Sequence, residues 1–126
     1  MKKEIITALL LLIIICAAFL NVKLLENVTA ETMSLVDKAT EFAVGGDWTN
    51  AKMAAEYAAE WWKKQESYTS IVLRNSEIDG VDNLLGELIK EIYSESAGGA
   101  QGAAKALKTR LALMLEIEKV KPGSIF

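Results

Sequence analysis

The chain divides into one continuous apolar run and a longer stretch in which apolar residues recur every three or four positions. The run covers residues 5–20, in which Thr7 is the one polar residue. A bilayer core is crossed by about 20 residues at ~1.5 Å each. The run reaches this length if Lys23 extends its ammonium group to the lipid headgroups and the span continues to Leu25. The pattern therefore predicts a transmembrane helix.

The charges around this run predict its orientation. Lys2 and Lys3 precede it, and basic residues beside a membrane span favour the cytoplasmic side. Residues 1–25 are then a cytoplasmic tip and a transmembrane signal-anchor helix, and residues 26–126 form an extracytoplasmic domain. The predicted location is the cell membrane, with a single pass and the N-terminus in the cytoplasm.

Two processing events are alternatives to an uncleaved anchor. A signal peptide also begins with lysines and an apolar run, and residues 28–30 (Val-Thr-Ala) are small enough for a cleavage site. Lipidation would use Cys16, but Ile14 and Ile15 stand before it where a lipoprotein signal has small residues. An uncleaved anchor is favoured because the small residues lie far downstream of the apolar run.

The remainder of the chain is patterned for four amphipathic helices, the first continuous with the membrane segment. Gly45-Gly46 ends that helix and Asp47 caps the next, whereas Ser76 is the expected cap of the third. Residues 96–102 are too rich in glycine for a stable helix and precede the fourth. Short connections predict an all-α fold, a transmembrane helix followed by an antiparallel up-and-down four-helix bundle.

The aromatic residues of the second helix fall into two groups. Trp62 lies on the apolar stripe, so we predict that it is a core residue. Tyr57, Trp61 and Tyr68 lie off this stripe, because neighbouring helical positions do not share a face. These three are the candidate partner surface, with coverage of a second neighbouring helix as the structural alternative.

The last residues are basic and apolar. In an up-and-down bundle they return to the bilayer, where Lys119 and Lys121 would meet anionic headgroups. Ile125 and Phe126 would then dip into the membrane interface. A solvated face with basic residues matching the helix dipole is an equal alternative for this segment.

The sequence holds little of the chemistry of a catalytic or metal site. It has no histidine, and its one cysteine lies in the apolar run, so the commonest general base and structural zinc are both missing. Glu77, Asp79 and Asp82 suggest a weak Ca²⁺ or Mg²⁺ site, but carboxylates at a helix start explain them better. We therefore predict no catalytic, cofactor or metal site, and the net charge of −3 gives no reason to expect nucleic acid.

Four short motifs resemble those of a family of domains of unknown function. They are Lys2-Lys3, Gly46-Asp47-Trp48 followed by Ala51, Trp61-Trp62, and Glu77-Ile78-Asp79. Members of that family are small, single-pass membrane-anchored proteins of Gram-positive, mostly clostridial, bacteria. The resemblance covers nearly the whole chain. It implies an envelope location and no catalytic residue.

The expected function follows from the missing chemistry. We expect a non-catalytic interaction module, a subunit or accessory of a membrane complex, which contacts the lipid bilayer and binds another membrane protein or a second copy of itself. The surplus of aromatic residues also fits a ligand-sensing or ligand-binding domain of the cell envelope. A third hypothesis is an envelope hydrolase that uses the carboxylates of Glu77 and Asp79.

Overall fold

The computed structural model describes the backbone of residues 1–125, and their side chains except those of Val72 and residues 121–125. The described residues form five α-helices and no strand, which confirms the all-α prediction. In chain order the helices are α1 (Lys2–Val44), α2 (Trp48–Lys64), α3 (Glu66–Val72), α4 (Asn75–Tyr93) and α5 (Ala97–Ile125).

The first helix has two halves with different surroundings. It is unbroken over 43 residues, a length of about 65 Å, which confirms the predicted continuity. Its early part contains a strongly apolar 18-residue window of which no residue is buried in the protein, so it could be a membrane anchor or a signal sequence. Burial begins at Leu25, which is 1% exposed. The second half of α1 therefore belongs to the packed domain.

The turn between α1 and α2 is built as the sequence predicts. Gly46 adopts φ +78°, in the left-handed region that favours glycine. The Asp47 carboxylate then accepts a hydrogen bond from the backbone N–H of Asn50 at 3.3 Å and caps α2. The chain thereby reverses its direction within the three residues 45–47.

Each of the four long helices packs against two others. α1 contacts α2 and α5, and α4 contacts the same two helices. Two ion pairs fix the direction of α5, because Lys108 Nζ lies 2.8 Å from Asp37 Oδ1 and Lys119 Nζ lies 3.2 Å from Glu26 Oε1. Residue numbers rise along α5 as they fall along α1, so the two helices are antiparallel.

By the same reasoning, α4 runs antiparallel to α2. Tyr93 donates a hydrogen bond from its hydroxyl to Glu56, and Lys52 lies 3.9 Å from Glu95. The Lys52 ammonium also sits 5.3 Å from the centre of the Tyr93 ring. These contacts hold the end of the domain where the Gly45–Gly46 turn lies. We call it the distal end, and the end where α1 becomes exposed, near Leu25, the proximal end.

The core lies where the predicted apolar stripes meet. Trp62 is 1% exposed and is the largest fully buried side chain, as predicted. Alanine dominates the α2 contribution, which allows close helix approach, and branched residues fill α4. The buried residues of these two helices are Ala51, Ala55, Ala58, Trp62, Ile78, Val81, Leu85, Leu88 and Ile92.

Two predicted helix boundaries are wrong. Ser76 is not a cap, because α4 already begins at Asn75 after an extended Arg74, and no side chain caps it. The glycine-rich residues 96–102 do not interrupt the helix, since α5 begins at Ala97. Ser96 accepts a hydrogen bond from the backbone N–H of Gly99 at 3.1 Å, and Ala100 is fully buried, so capping and packing offset the low helix propensity.

Candidate interaction surface

A groove runs between α1 and the α2–α3 segment at the proximal end. Its volume is about 490 Å³, and it is open to the surroundings on one side. We call it the proximal groove. Its lining residues are Leu24, Asn27, Val28, Glu31, Trp61, Gln65 and Tyr68. The groove thus combines an aromatic wall from α2 and α3 with a mixed apolar and polar wall from α1.

A hydrogen bond to the main chain of α1 holds the aromatic wall in place. The Tyr68 hydroxyl donates a hydrogen bond to the main-chain carbonyl oxygen of Asn21 at 2.7 Å. Burial raises the pKa of Tyr68 above its ordinary value, and the negative charge of Glu118 raises it further. Tyr68 therefore remains a neutral hydrogen-bond donor at neutral pH and ties α3 to α1.

The indole N–H of Trp61, a residue of this wall, has no hydrogen-bond partner among the described residues. The residue is half-buried, and its indole Nε1 is buried without a hydrogen-bond partner among the described residues. Buried polar atoms are usually paired, because leaving one unpaired costs about 1–3 kcal/mol. Trp61 therefore lines the groove while its buried N–H has no partner among the described residues.

The three predicted partner residues lie on one side of α2 and α3 but are not equivalent. Trp61 and Tyr68 both line the proximal groove. Tyr57 lies one turn distal of Trp61, is 57% exposed and stands outside the groove, with Met53 a further turn away at 65% exposure. Trp61, Tyr57 and Met53 together form a strip of aromatic and apolar side chains that leads from the groove toward the distal end.

The sequence did not identify the α1 wall of this groove. Leu24, Asn27 and Glu31 recur at helical spacing beside the buried stripe of α1, which was the available signal. Leu24 is 42% exposed and is the apolar member of this wall. Which helix would lie opposite them depends on tertiary packing, which the spacing of one helix does not define.

A second, smaller groove holds the carboxylate of Asp82 between α2 and α4. Its volume is about 330 Å³, and Lys63 and Glu66 share it. Burial raises the pKa of the Asp82 carboxyl above its usual value and the charge of Glu66 adds to this, whereas the Trp62 indole acts in the opposite direction. Asp82 is itself exposed, so this groove presents its carboxylate at the surface of the domain.

The other acidic residues near this position lie apart. Glu77 is half-buried and Asp79 is exposed, and residues two apart on a helix do not face each other. Within the described part of the chain, no three His, Cys, Asp or Glu side chains are placed to hold a metal ion. The carboxylates of Glu77 and Asp79 therefore do not form the facing pair that the hydrolase hypothesis needs.

The predicted membrane-surface residues are described only in part. Lys119 forms its ion pair with Glu26 at the proximal end of α5, and the neighbouring Val120 is 64% exposed. The side chains of Lys121 and Ile125, and the whole of Phe126, lie outside the described residues. The described part of this segment places one basic and one apolar side chain at the proximal end.

Comparisons with known proteins give one match. Residues 19–125 match the model of a family described as "Domain of unknown function (DUF4363)". Neither the search of curated proteins nor the search of solved structures found a match. The match covers the packed domain and the last residues of the apolar run.

Proposed function

The chain belongs to the DUF4363 family of domains of unknown function, and from this premise we propose that it is a membrane-anchored, extracytoplasmic helical interaction module. In this proposal it has no catalytic activity and serves as a subunit or accessory of a membrane complex. Its partners are the lipid bilayer and another membrane protein or a second copy of this chain. The proximal groove with Trp61 in its wall is the observation that carries the proposal.

Support for an uncleaved anchor comes from where burial begins in α1. Cleavage after Ala30 would remove Leu25, Val28 and Thr29, which are 1%, 7% and 1% exposed. Loss of such core side chains costs several kcal/mol in total, because each large apolar truncation costs about 2–5 kcal/mol. A signal peptide is not expected to supply core residues, so a retained membrane segment is favoured.

The proposed architecture is an antiparallel up-and-down four-helix bundle outside the membrane, formed by the second half of α1 with α2, α4 and α5. The closed ring of neighbours supports it, since α1 and α4 each pack against α2 and α5. The antiparallel ion pairs between α1 and α5 support it as well. Lys2 and Lys3 favour the cytoplasmic side for the opposite end of α1.

The position of the proximal groove favours a helical membrane partner. The groove lies beside α1 where the helix leaves the packed domain, so a partner helix that crosses the same membrane would run directly past it. Amphipathic helices bind such grooves through apolar residues at every third or fourth position. Aromatic residues such as Trp61 and Tyr68 are the side chains that most often dominate binding energies at interfaces.

A matched pair of exposed tyrosines allows a direct test. A photoreactive benzoylphenylalanine replaces Tyr57, which borders the proximal groove, or Tyr93, which lies on α4 at the distal end; the two are 57% and 50% exposed. After irradiation of intact cells, position 57 is expected to give one dominant cross-linked product and position 93 none. Adding Trp61→Ala to the position 57 variant should reduce that product several-fold.

The outcomes separate the partner classes. A product of twice the chain mass identifies a second copy, and a heavier or lighter discrete product identifies a different membrane protein. Equal products from both positions, or a chain that purifies as an uncross-linked monomer, would contradict the interaction proposal.

Ligand sensing is the second candidate, and the aromatic lining of the proximal groove by Trp61 and Tyr68 favours it. Binding raises the melting temperature of the folded state, so a screen of small molecules against the full chain in detergent tests this function. A shift that Trp61→Ala abolishes, with no cross-linked product from position 57, would replace the interaction proposal with this one.

A further inference from the structure

The hydrogen bond between Tyr68 and Asn21 fixes the depth of α3 relative to the apolar run. The run ends at residue 20, so Tyr68 lies level with its boundary. α2 turns back from α1 at Gly45–Gly46, and α3 meets α1 again at Asn21. Ile71 is three residues further along α3 than Tyr68, a rise of about 4–5 Å along that helix.

The segment that carries Ile71 is anchored on its inner side. Thr69 is fully buried and Leu73 is 5% exposed, and both face the core beside α4. Ile71 points the other way and is 81% exposed. Its exposure is therefore a property of an anchored segment, since Thr69 and Leu73, two positions before and after it, are buried.

We propose that α3 and the turn that joins it to α4 form a contact with the lipid bilayer, with Ile71 inserted at the boundary of headgroups and acyl chains. This inference rests on the proposed membrane anchor and adds a second point of attachment to it. The occupant is lipid rather than protein, because the depth of Ile71 along α1 places it level with the apolar run.

The residues around Ile71 have the chemistry of a membrane interface. Tyrosine is enriched at the headgroup level, where its ring is apolar and its hydroxyl remains hydrogen-bonded, as it is in Tyr68. Lys64 and Arg74 flank the segment and are exposed. Basic side chains near an anionic lipid surface are attracted to it.

A second contact would restrain the domain as well as hold it. A single helix crossing the bilayer leaves the domain free to tilt. A contact between α3 and the bilayer would also attach the opposite side of the proximal groove to the membrane. The groove would then be kept at the membrane surface in a fixed orientation, where a membrane partner can reach it.

The native cysteine supplies the internal control for a test by depth-dependent fluorescence quenching. The full chain is labelled at Cys16 with an environment-sensitive fluorophore, and two further variants combine Cys16→Ser with Ile71→Cys or with Tyr57→Cys. All three are reconstituted into vesicles of mixed phosphatidylcholine and phosphatidylglycerol. Quenching by nitroxides placed at shallow or deep positions on the lipid is compared with quenching by aqueous iodide.

The expected pattern is deep nitroxide quenching at Cys16, shallow nitroxide quenching at Ile71→Cys, and iodide quenching at Tyr57→Cys several-fold stronger than at Ile71→Cys. A deep Cys16 label with equal iodide quenching at positions 71 and 57 would overturn the lipid contact and leave the anchor standing. Iodide quenching at all three positions would overturn both.

Discussion

Tyr68 and Asn21 are 47 residues apart in the chain, yet the Tyr68 hydroxyl donates a hydrogen bond to the Asn21 carbonyl oxygen at 2.7 Å. This bond joins α3 to α1 at the point where the apolar run gives way to the packed domain. Tyr68 also lines the proximal groove, and Ile71 lies three residues further along α3. The proposed positions of the groove and of Ile71 at the membrane both depend on this hydrogen bond.

Removing that hydroxyl should loosen the proximal end without unfolding the domain. Tyr68→Phe keeps the ring and deletes the donor, so we expect a loss of about 0.5–1.5 kcal/mol in the free energy of unfolding. The measurement is urea unfolding of the full chain in mild detergent, followed by circular dichroism. A variant as stable as the parent would show that the hydrogen bond makes no net contribution.

Trp62 should be the most sensitive aromatic position of the domain. It is 1% exposed, and truncation of a buried tryptophan leaves a large cavity, so Trp62→Ala should cost about 3–5 kcal/mol. The control is Tyr57→Ala, an exposed aromatic on the same helix, which should change stability by no more than about 0.5 kcal/mol. Similar losses in the two variants would refute the placement of Trp62 in the core.

Replacing Gly46 or Gly86 with alanine should change the stability of the domain in opposite directions. Gly46 has φ +78°, where a Cβ is strained, so Gly46→Ala should lower stability by about 1 kcal/mol. Gly86 lies inside α4 with open space around the position of a Cβ, so Gly86→Ala should raise stability by about 0.5–1 kcal/mol. Thermal unfolding of both variants beside the parent measures the two changes in melting temperature. Changes in the same direction would contradict this turn geometry.

Asp82 should make stability depend on pH in a defined direction. Its pKa is raised in the folded protein, so the folded state holds this proton more tightly than the unfolded state does. Stability therefore falls as pH rises from the ordinary aspartate pKa through the raised one, and the penalty persists at neutral pH. Asp82→Asn should then be more stable than the parent at pH 7, and the difference should shrink in acid.

The charge of Glu66 provides the control for this prediction. It is one cause of the raised pKa of Asp82, so Asp82→Asn should have a smaller stabilising effect in a Glu66→Gln background. Unfolding curves recorded across the acidic range in both backgrounds give the comparison. An advantage of Asp82→Asn that grows on acidification would reverse the assigned direction of the shift.

The sequence predicted those features that depend on short-range pattern. The five buried residues of α4 follow steps of three and four along the helix, as the apolar pattern predicts, and Asp47 and Gly46 were recognisable as a cap and a left-handed turn from their residue types. In each case the physical cause lies within a few residues. Periodicity and turn chemistry therefore sufficed for the helices and for most of the core.

Features that depend on tertiary packing were missed. Gln65 keeps helical dihedral angles, but its N–H is shared between the carbonyls of Trp61 and Trp62, which separates α3 from α2. The prediction of four helices contained no separate helix at this position. The proximal groove likewise needs α1 and α2 side by side, so only its aromatic half was predicted.

Every proposed role depends on α1 remaining in the bilayer, and the intact mass of the protein recovered from cell membranes after an alkaline carbonate wash tests this directly. We expect a membrane-retained chain at the full mass of 13.8 kDa. A lighter chain that begins after Ala30 and is released by the wash would contradict this, since residues 1–30 would then be a cleaved signal peptide.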